Sequence, residues 1–143
     1  MWQRSQTLYL FITCVLLGGL FFSDVATMVV PEGDPVGIAY IDKLPYLVLM
    51  IVAATGHLVA LFSFRKRMFQ LRIAAASAVV LLGLQGWIAY DFFTADPRII
   101  FKWTAVFPVI GTILDIMAAR GIFSDELMVR SSSRLRAAKR NSK

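Results

Sequence analysis

Arg65-Lys66-Arg67 stands between two long apolar runs, Leu44–Phe64 before it and Ile73–Ala89 after it. Three adjacent cations between two membrane-length segments resist translocation, so they stay on the cytoplasmic side. That fixes the direction of both neighbours: the first run points inward and the second outward. The rest of the chain takes its sidedness from these two.

The composition agrees. Of 143 residues, 58% are hydrophobic and 17% charged, with a mean hydropathy of +0.69. A soluble domain lies nearer 45–50% apolar and about 25% charged. One soluble core cannot hide this much apolar surface, so a multi-pass membrane protein is the expectation. The net charge of +6 concentrates at Arg65–Arg67 and between Arg130 and Lys143. Such clustering follows the positive-inside rule and needs no nucleic-acid partner to explain it. Cys14 is the single cysteine, which excludes an intramolecular disulfide and a CxxC redox pair. His57 is the single histidine, which excludes a multi-histidine metal or haem site within one chain. The sequence contains no GxSxG, no HExxH, no glycine-rich phosphate loop and no zinc spacing. An enzyme and a bound cofactor are therefore not expected.

Working outward, the expected architecture is all-α and integral to the membrane, with four transmembrane helices and both termini inside. The spans fall at about 6–22, 44–64, 73–90 and 103–119, with outer loops at 24–43 and 91–102. Leu8–Phe22 has the length of a signal-peptide core, but Asp24 sits where a small residue is wanted for cleavage, which favours an uncleaved first helix. In the first outer loop, Val25–Val30 and Val36–Ile41 flank Pro31-Glu32-Gly33-Asp34-Pro35, a hairpin pattern; an irregular loop is the alternative. Met68–Arg72 reads as a short interfacial link. Pro45 falls in the first turn of its helix, where a missing N–H costs little. Pro108 falls inside the fourth span, where a kink is expected. Residues 1–123 form the membrane domain and residues 124–143 a basic cytoplasmic tail. There Ser124, followed by Asp125 and Glu126, reads as the N-cap of a separate short helix.

Ionisable groups at membrane depth are candidates for function, and there are two, His57 and Asp115. His57 lies eight residues before Arg65 and Asp115 five before Arg120, so roughly 12 Å and 7–8 Å from the inner boundary at 1.5 Å per residue. They meet if the second and fourth helices are neighbours. His57 shares a face with Ala53 and Ala60, and Asp115 with Gly111, Ala118 and Pro108. Small residues around a polar one suit a buried interhelical contact. The pair is either a proton-handling site or a structural hydrogen bond. Gln85 belongs to the outer half, where one interhelical hydrogen bond is expected of it. The tail cations Arg130, Arg134, Arg136, Lys139, Arg140 and Lys143 either contact anionic lipid headgroups, dock an acidic partner, or only enforce orientation.

Both ends carry a further pattern. Met1-Trp2-Gln3-Arg4-Ser5-Gln6-Thr7-Leu8-Tyr9-Leu10 resembles an MxQRxQTLYL opening. Ala118-Ala119-Arg120-Gly121-Ile122, then Asp125-Glu126-Leu127-Met128-Val129-Arg130, then Ser133-Arg134-Leu135-Arg136 is similar to AxRxI, DExLVR and DRLR in succession. These are the patterns of an uncharacterised four-helix membrane family of Bacteroidota, domain-of-unknown-function family 4293. The sequence departs at Met128, and at Ser133 where the family pattern has Asp, which leaves the tail more basic. The resemblance implies an inner-membrane protein and supplies no activity. It singles out Gln3, Arg4, Gln6, Asp125, Glu126, Arg130, Arg134 and Arg136. With Arg65, Lys66 and Arg67 these form a candidate cytoplasmic contact surface, in which Asp125 and Glu126 pair with Arg4 or with the Arg65–Arg67 cluster. The expected function is a non-catalytic accessory, assembly or scaffold subunit, or a homo-oligomer. The alternative is a small proton-coupled transporter or permeation element using Asp115 and His57.

Overall fold

A computed structural model describes residues 3–63 and 66–141, with side chains described for 7–63 and 66–133. Four helices carry most of the chain: α1 (Gln3–Phe21), α2 (Leu44–Phe62), α3 (Arg67–Thr94) and α4 (Phe107–Asn141). Three helical stretches, Leu44–Phe62, Arg67–Thr94 and Trp103–Ser133, are long and apolar enough to cross a membrane. Thr7–Phe21 is a shorter apolar helix. α1 packs on α2 and α4, and α3 packs on α2 and α4.

Each helix buries one narrow stripe with alternating three- and four-residue steps. α1 buries Leu10, Thr13, Leu17 and Leu20; α2 buries Tyr46, Met50, Ala53, His57 and Ala60. α3 buries Gln70, Ala74, Ser77, Ala78, Leu81, Leu84 and Ile88; α4 buries Pro108, Gly111, Thr112, Asp115, Ala118 and Ile122. That spacing is the seam of helices crossing at shallow angles. The opposite faces expose large apolar side chains such as Phe11, Val15, Ile51, Val79, Leu82 and Ile113. An exterior this apolar fits lipid rather than water as its solvent.

The connections at one end build a three-stranded antiparallel sheet of order β2-β1-β3, where β1 is Asp24–Met28, β2 is Val36–Ala39 and β3 is Ile99–Phe101. The expected two-stranded hairpin is thus part of a larger element. β3 comes from the segment read as a plain second loop. Asp96 accepts from the Arg98 N–H through its side chain and from the Ile99 N–H through its carbonyl, both at 2.9 Å, and this turn delivers Ile99 to the sheet. A register shift between Asp24 and Ala26 turns two successive residues, Val25 and Ala26, into the core. An isolated hairpin is marginal in water. Pairing with β3 and burial of Val25 and Ala26 against Leu17, Leu20 and Tyr46 supply what it lacks.

Three further boundaries differ from those expected. Met68–Arg72 is not a link but the first turn and a half of α3. Pro108 is the second residue of α4, preceded by a 3-10 turn at Trp103–Val106, so its missing N–H is one that a first turn leaves unbonded anyway. The kink expected there is therefore replaced by a helix start. Ser124 is not an N-cap, because α4 runs through it to Asn141 without interruption. Leu127, Met128 and the long charged side chains are good helix formers, and no proline follows Pro108, so Gly121, at a cost of about 1 kcal/mol, does not end the helix.

Candidate functional site

Two apolar clusters divide the interior. One, at the sheet end, gathers Leu17, Leu20, Tyr40, Tyr46, Met50, Ala53, Leu81, Leu84 and Ile88. The other, at the far end, gathers Leu10, Ala60, Ala74 and Ala118. Between them the stripes place Thr13 of α1, His57 of α2 and Asp115 of α4 at one level, each 1% exposed or less. Close helix approach makes this level tight. A Cβ on Gly111 would stand 3.0 Å from Leu81 Cδ1 and 3.2 Å from Thr13 Cγ2. One on Gly56 would collide with the Ser77 hydroxyl.

His57 and Asp115 touch. His57 Nδ1 donates to the Ala53 carbonyl at 2.7 Å, since a carbonyl can only accept. Nε2 faces both carboxylate oxygens of Asp115, at 2.8 and 3.0 Å. One proton occupies that link, carried by Nε2 against a carboxylate or by Asp115 against a neutral ring. Either way the pair has no net charge, the form in which two ionisable groups survive at this burial. The Thr13 hydroxyl also lies within hydrogen-bonding range of Asp115 and has a second acceptor in the Tyr9 carbonyl at 3.0 Å. Every polar atom of the His57 ring is thereby used inside the protein. Among the described residues no group of three His, Cys, Asp or Glu side chains could hold a metal ion.

A second polar cluster closes the sheet end. Asp91, near the end of α3, accepts from Tyr46 Oη at 2.7 Å and pairs with Lys43 just before α2. The Lys43 ammonium also lies 5.3 Å from the centre of the Tyr46 ring. Tyr40 stacks at a tilt on Tyr46, with centroids 5.9 Å apart, and donates to the Thr104 carbonyl at 2.7 Å. Burial pushes the Tyr40 phenol up to about 12, so it stays neutral. Lys102 pairs with Asp24, and the Thr104 hydroxyl donates to the Asp24 carbonyl. These bonds tie β1 to the 3-10 turn that leads into α4, and α2 to α3. Sequence reading missed Lys43, Tyr46, Asp91 and Thr13 as partners. Tyr46 and Asp91 did sit at the apolar boundaries, where a polar tip finds a partner, but their pairing across 45 residues leaves no local trace.

At the other end an open cavity of about 500 Å³ is lined by Lys66, Arg67, Met68, Phe69, Arg72 and Glu126. So Glu126 does reach the level of Lys66 and Arg67, but its ion pair is with Arg130, one turn along α4, at 2.9 Å. The remaining surface residues, Gln3, Arg4, Gln6, Arg65, Arg134 and Arg136, have side chains outside the described residues, and so has any pairing of Arg4 or Arg65 with Asp125. Gln85 has a buried Oε1 without a hydrogen-bond partner among the described residues, so the interhelical bond expected of it is not made by that atom.

Residues 2–135 match the family model described as Domain of unknown function (DUF4293). The chain belongs to this family. The DUF4293 match covers His57, Asp115, the sheet-end network and the basic cavity alike, and stops one residue before Arg136. No curated protein and no solved structure matches the chain.

Proposed function

We propose that this DUF4293 protein is a four-span protein of a bacterial inner membrane, with both termini cytoplasmic, and that it serves as a non-catalytic accessory, assembly or scaffold subunit. The carrying observation is the closure of its only buried acid–histidine pair among the described residues. Both ring nitrogens of His57 are taken, one by Ala53 and one by Asp115, and both side chains are 1% exposed or less. A group that binds or relays must have capacity left for a substrate or a water chain. This pair supports packing: it joins α2 to α4 across the interior, at a level where Gly56 lets α2 approach α3 and Gly111 lets α4 approach α3 and α1. α1 supports a fourth, short span: its apolar stretch Thr7–Phe21 rises about 22 Å at 1.5 Å per residue, and a short span is met by local thinning of the bilayer. The cations at the α2–α3 turn and along the end of α4 support the inward orientation.

Mild-detergent or native-nanodisc co-purification at native expression, with mass spectrometry, tests the role. A stoichiometric protein partner, lost when residues 120–143 are deleted, is the expected result. A clean homo-oligomer without a partner would contradict the accessory role. It would favour the second reading, a small proton-coupled transporter or permeation element using Asp115 and His57. What favours that reading is the meeting of Thr13, His57 and Asp115 from three helices at one depth.

A further inference from the structure

The start of α3 gathers three cations on one cavity wall. Lys66 and Arg72 are exposed and Arg67 half-buried, and all three line the 500 Å³ cavity. Among the described residues none of the three has an ion pair. The one carboxylate on the cavity wall, Glu126, is held by Arg130. α3 begins here without a side-chain cap on its N-terminal N–H groups, which adds partial positive charge to that of the three cations. Met68 and Phe69, both exposed, lie beside the cations on the same wall, and Phe62, 80% exposed, ends the neighbouring α2.

A concave site with three cations wants an anion with several acceptor oxygens. Its apolar wall, continuous with the exterior of α2 and α3, wants hydrocarbon next to that anion. A soluble phosphate uses only the first feature, whereas a phospholipid uses both. We infer that the cavity formed by Lys66, Arg67, Met68, Phe69 and Arg72 binds the phosphate of an anionic phospholipid, with the acyl chains against Met68, Phe69 and Phe62. The inference rests on the reading that α2 and α3 span a membrane. It places a specific lipid site at the turn, apart from any diffuse attraction along the end of α4.

The test is native mass spectrometry of the full chain released from nanodiscs of phosphatidylcholine with phosphatidylglycerol. One retained phosphatidylglycerol per chain is expected. Lys66→Gln with Arg72→Gln leaves Arg65 and Arg67 to hold the turn in place, and lowers the apparent lipid affinity roughly thirtyfold for two cations removed at a surface. Arg140→Gln with Lys143→Gln removes the same charge elsewhere and leaves retention unchanged. The charge-keeping pair Lys66→Arg with Arg72→Lys retains lipid as the wild type does, which separates loss of binding from loss of folding. Equal loss in both glutamine variants, or no loss at the cavity, overturns the site. Displacement of the lipid by millimolar inorganic phosphate would show a free-phosphate site and overturn the lipid source. Release of the protein from membranes by alkaline carbonate would instead defeat the membrane reading itself. A protein that stays in the membrane but retains no phosphatidylglycerol defeats only the lipid site.

Discussion

Replacing His57 by Leu leaves Asp115 as an acid with no histidine partner, at 0% exposure. A single interhelical hydrogen bond within a membrane contributes only about 0.6–2 kcal/mol. The loss here is larger, because what remains is a buried carboxyl with the Thr13 hydroxyl as its nearest donor. Breaking one side of such a pair costs about 3–5 kcal/mol. Asp115→Leu is milder, about 1–3 kcal/mol, because a neutral His57 keeps its bond to Ala53. Replacing both sides removes the unpartnered group. The double variant His57→Leu with Asp115→Leu therefore lies within about 1.5 kcal/mol of wild type, the remainder being imperfect repacking beside Gly111. Unfolding by SDS titration in mixed micelles measures all four proteins, and the cycle gives the coupling directly. Two single losses that simply add in the double variant would refute the reading of His57 and Asp115 as a mutually compensating lock.

Gly56→Ala destabilises by about 1–3 kcal/mol, because its methyl meets the Ser77 hydroxyl. Ser77→Ala relieves this, since the Ser77 Cβ would stand an ordinary 3.7 Å from the new methyl; the same titration on the single and double variants checks it. Asp91→Asn weakens the half-exposed pair with Lys43 and the bond from Tyr46, costing about 1 kcal/mol. Its effect adds to that of His57→Leu within about 0.5 kcal/mol, because Tyr46 and His57 are three turns apart on α2. Tyr40 has a phenol raised from 10.0 to about 12. A raised phenol contributes stability that is complete below pH 10 and lost as pH rises towards 12. Tyr40→Phe makes the alkaline fall shallower in a pH series of unfolding midpoints, whereas an unchanged slope would count against the buried phenol. Ser124→Ala leaves stability unchanged or a few tenths of a kcal/mol higher, as for an exposed mid-helix position, where an N-cap would lose about 1 kcal/mol.

What the sequence made legible was carried by periodicity and composition. The apolar runs marked α2 and α3, and the small residues around His57 and Asp115 marked the faces that turn inward. The meeting of those two side chains depended on α2 and α4 both bordering the interior, which helix order alone does not decide. The missed features have local reasons. Three residues, Ile99-Ile100-Phe101, are too few to announce a strand until β1 offers an edge. Pro108 reads as an interior proline only if the helix is taken to start at Trp103, whereas the chain makes a 3-10 turn first. Ser124-Asp125-Glu126 has the composition of a helix start, but α4 arrives there already formed, so continuing costs less than nucleating anew. The Lys43–Asp91–Tyr46 network joins residues far apart in the chain, and only packing reveals it.

The most direct test of the central claim, that the buried pair locks the fold and does not conduct, is proton flux in liposomes reconstituted with the purified protein under a pH gradient. The expected flux equals that of empty liposomes, with no difference between wild type and Asp115→Asn. A flux above the empty-liposome level that Asp115→Asn abolishes would contradict it, and would make His57 and Asp115 the pathway.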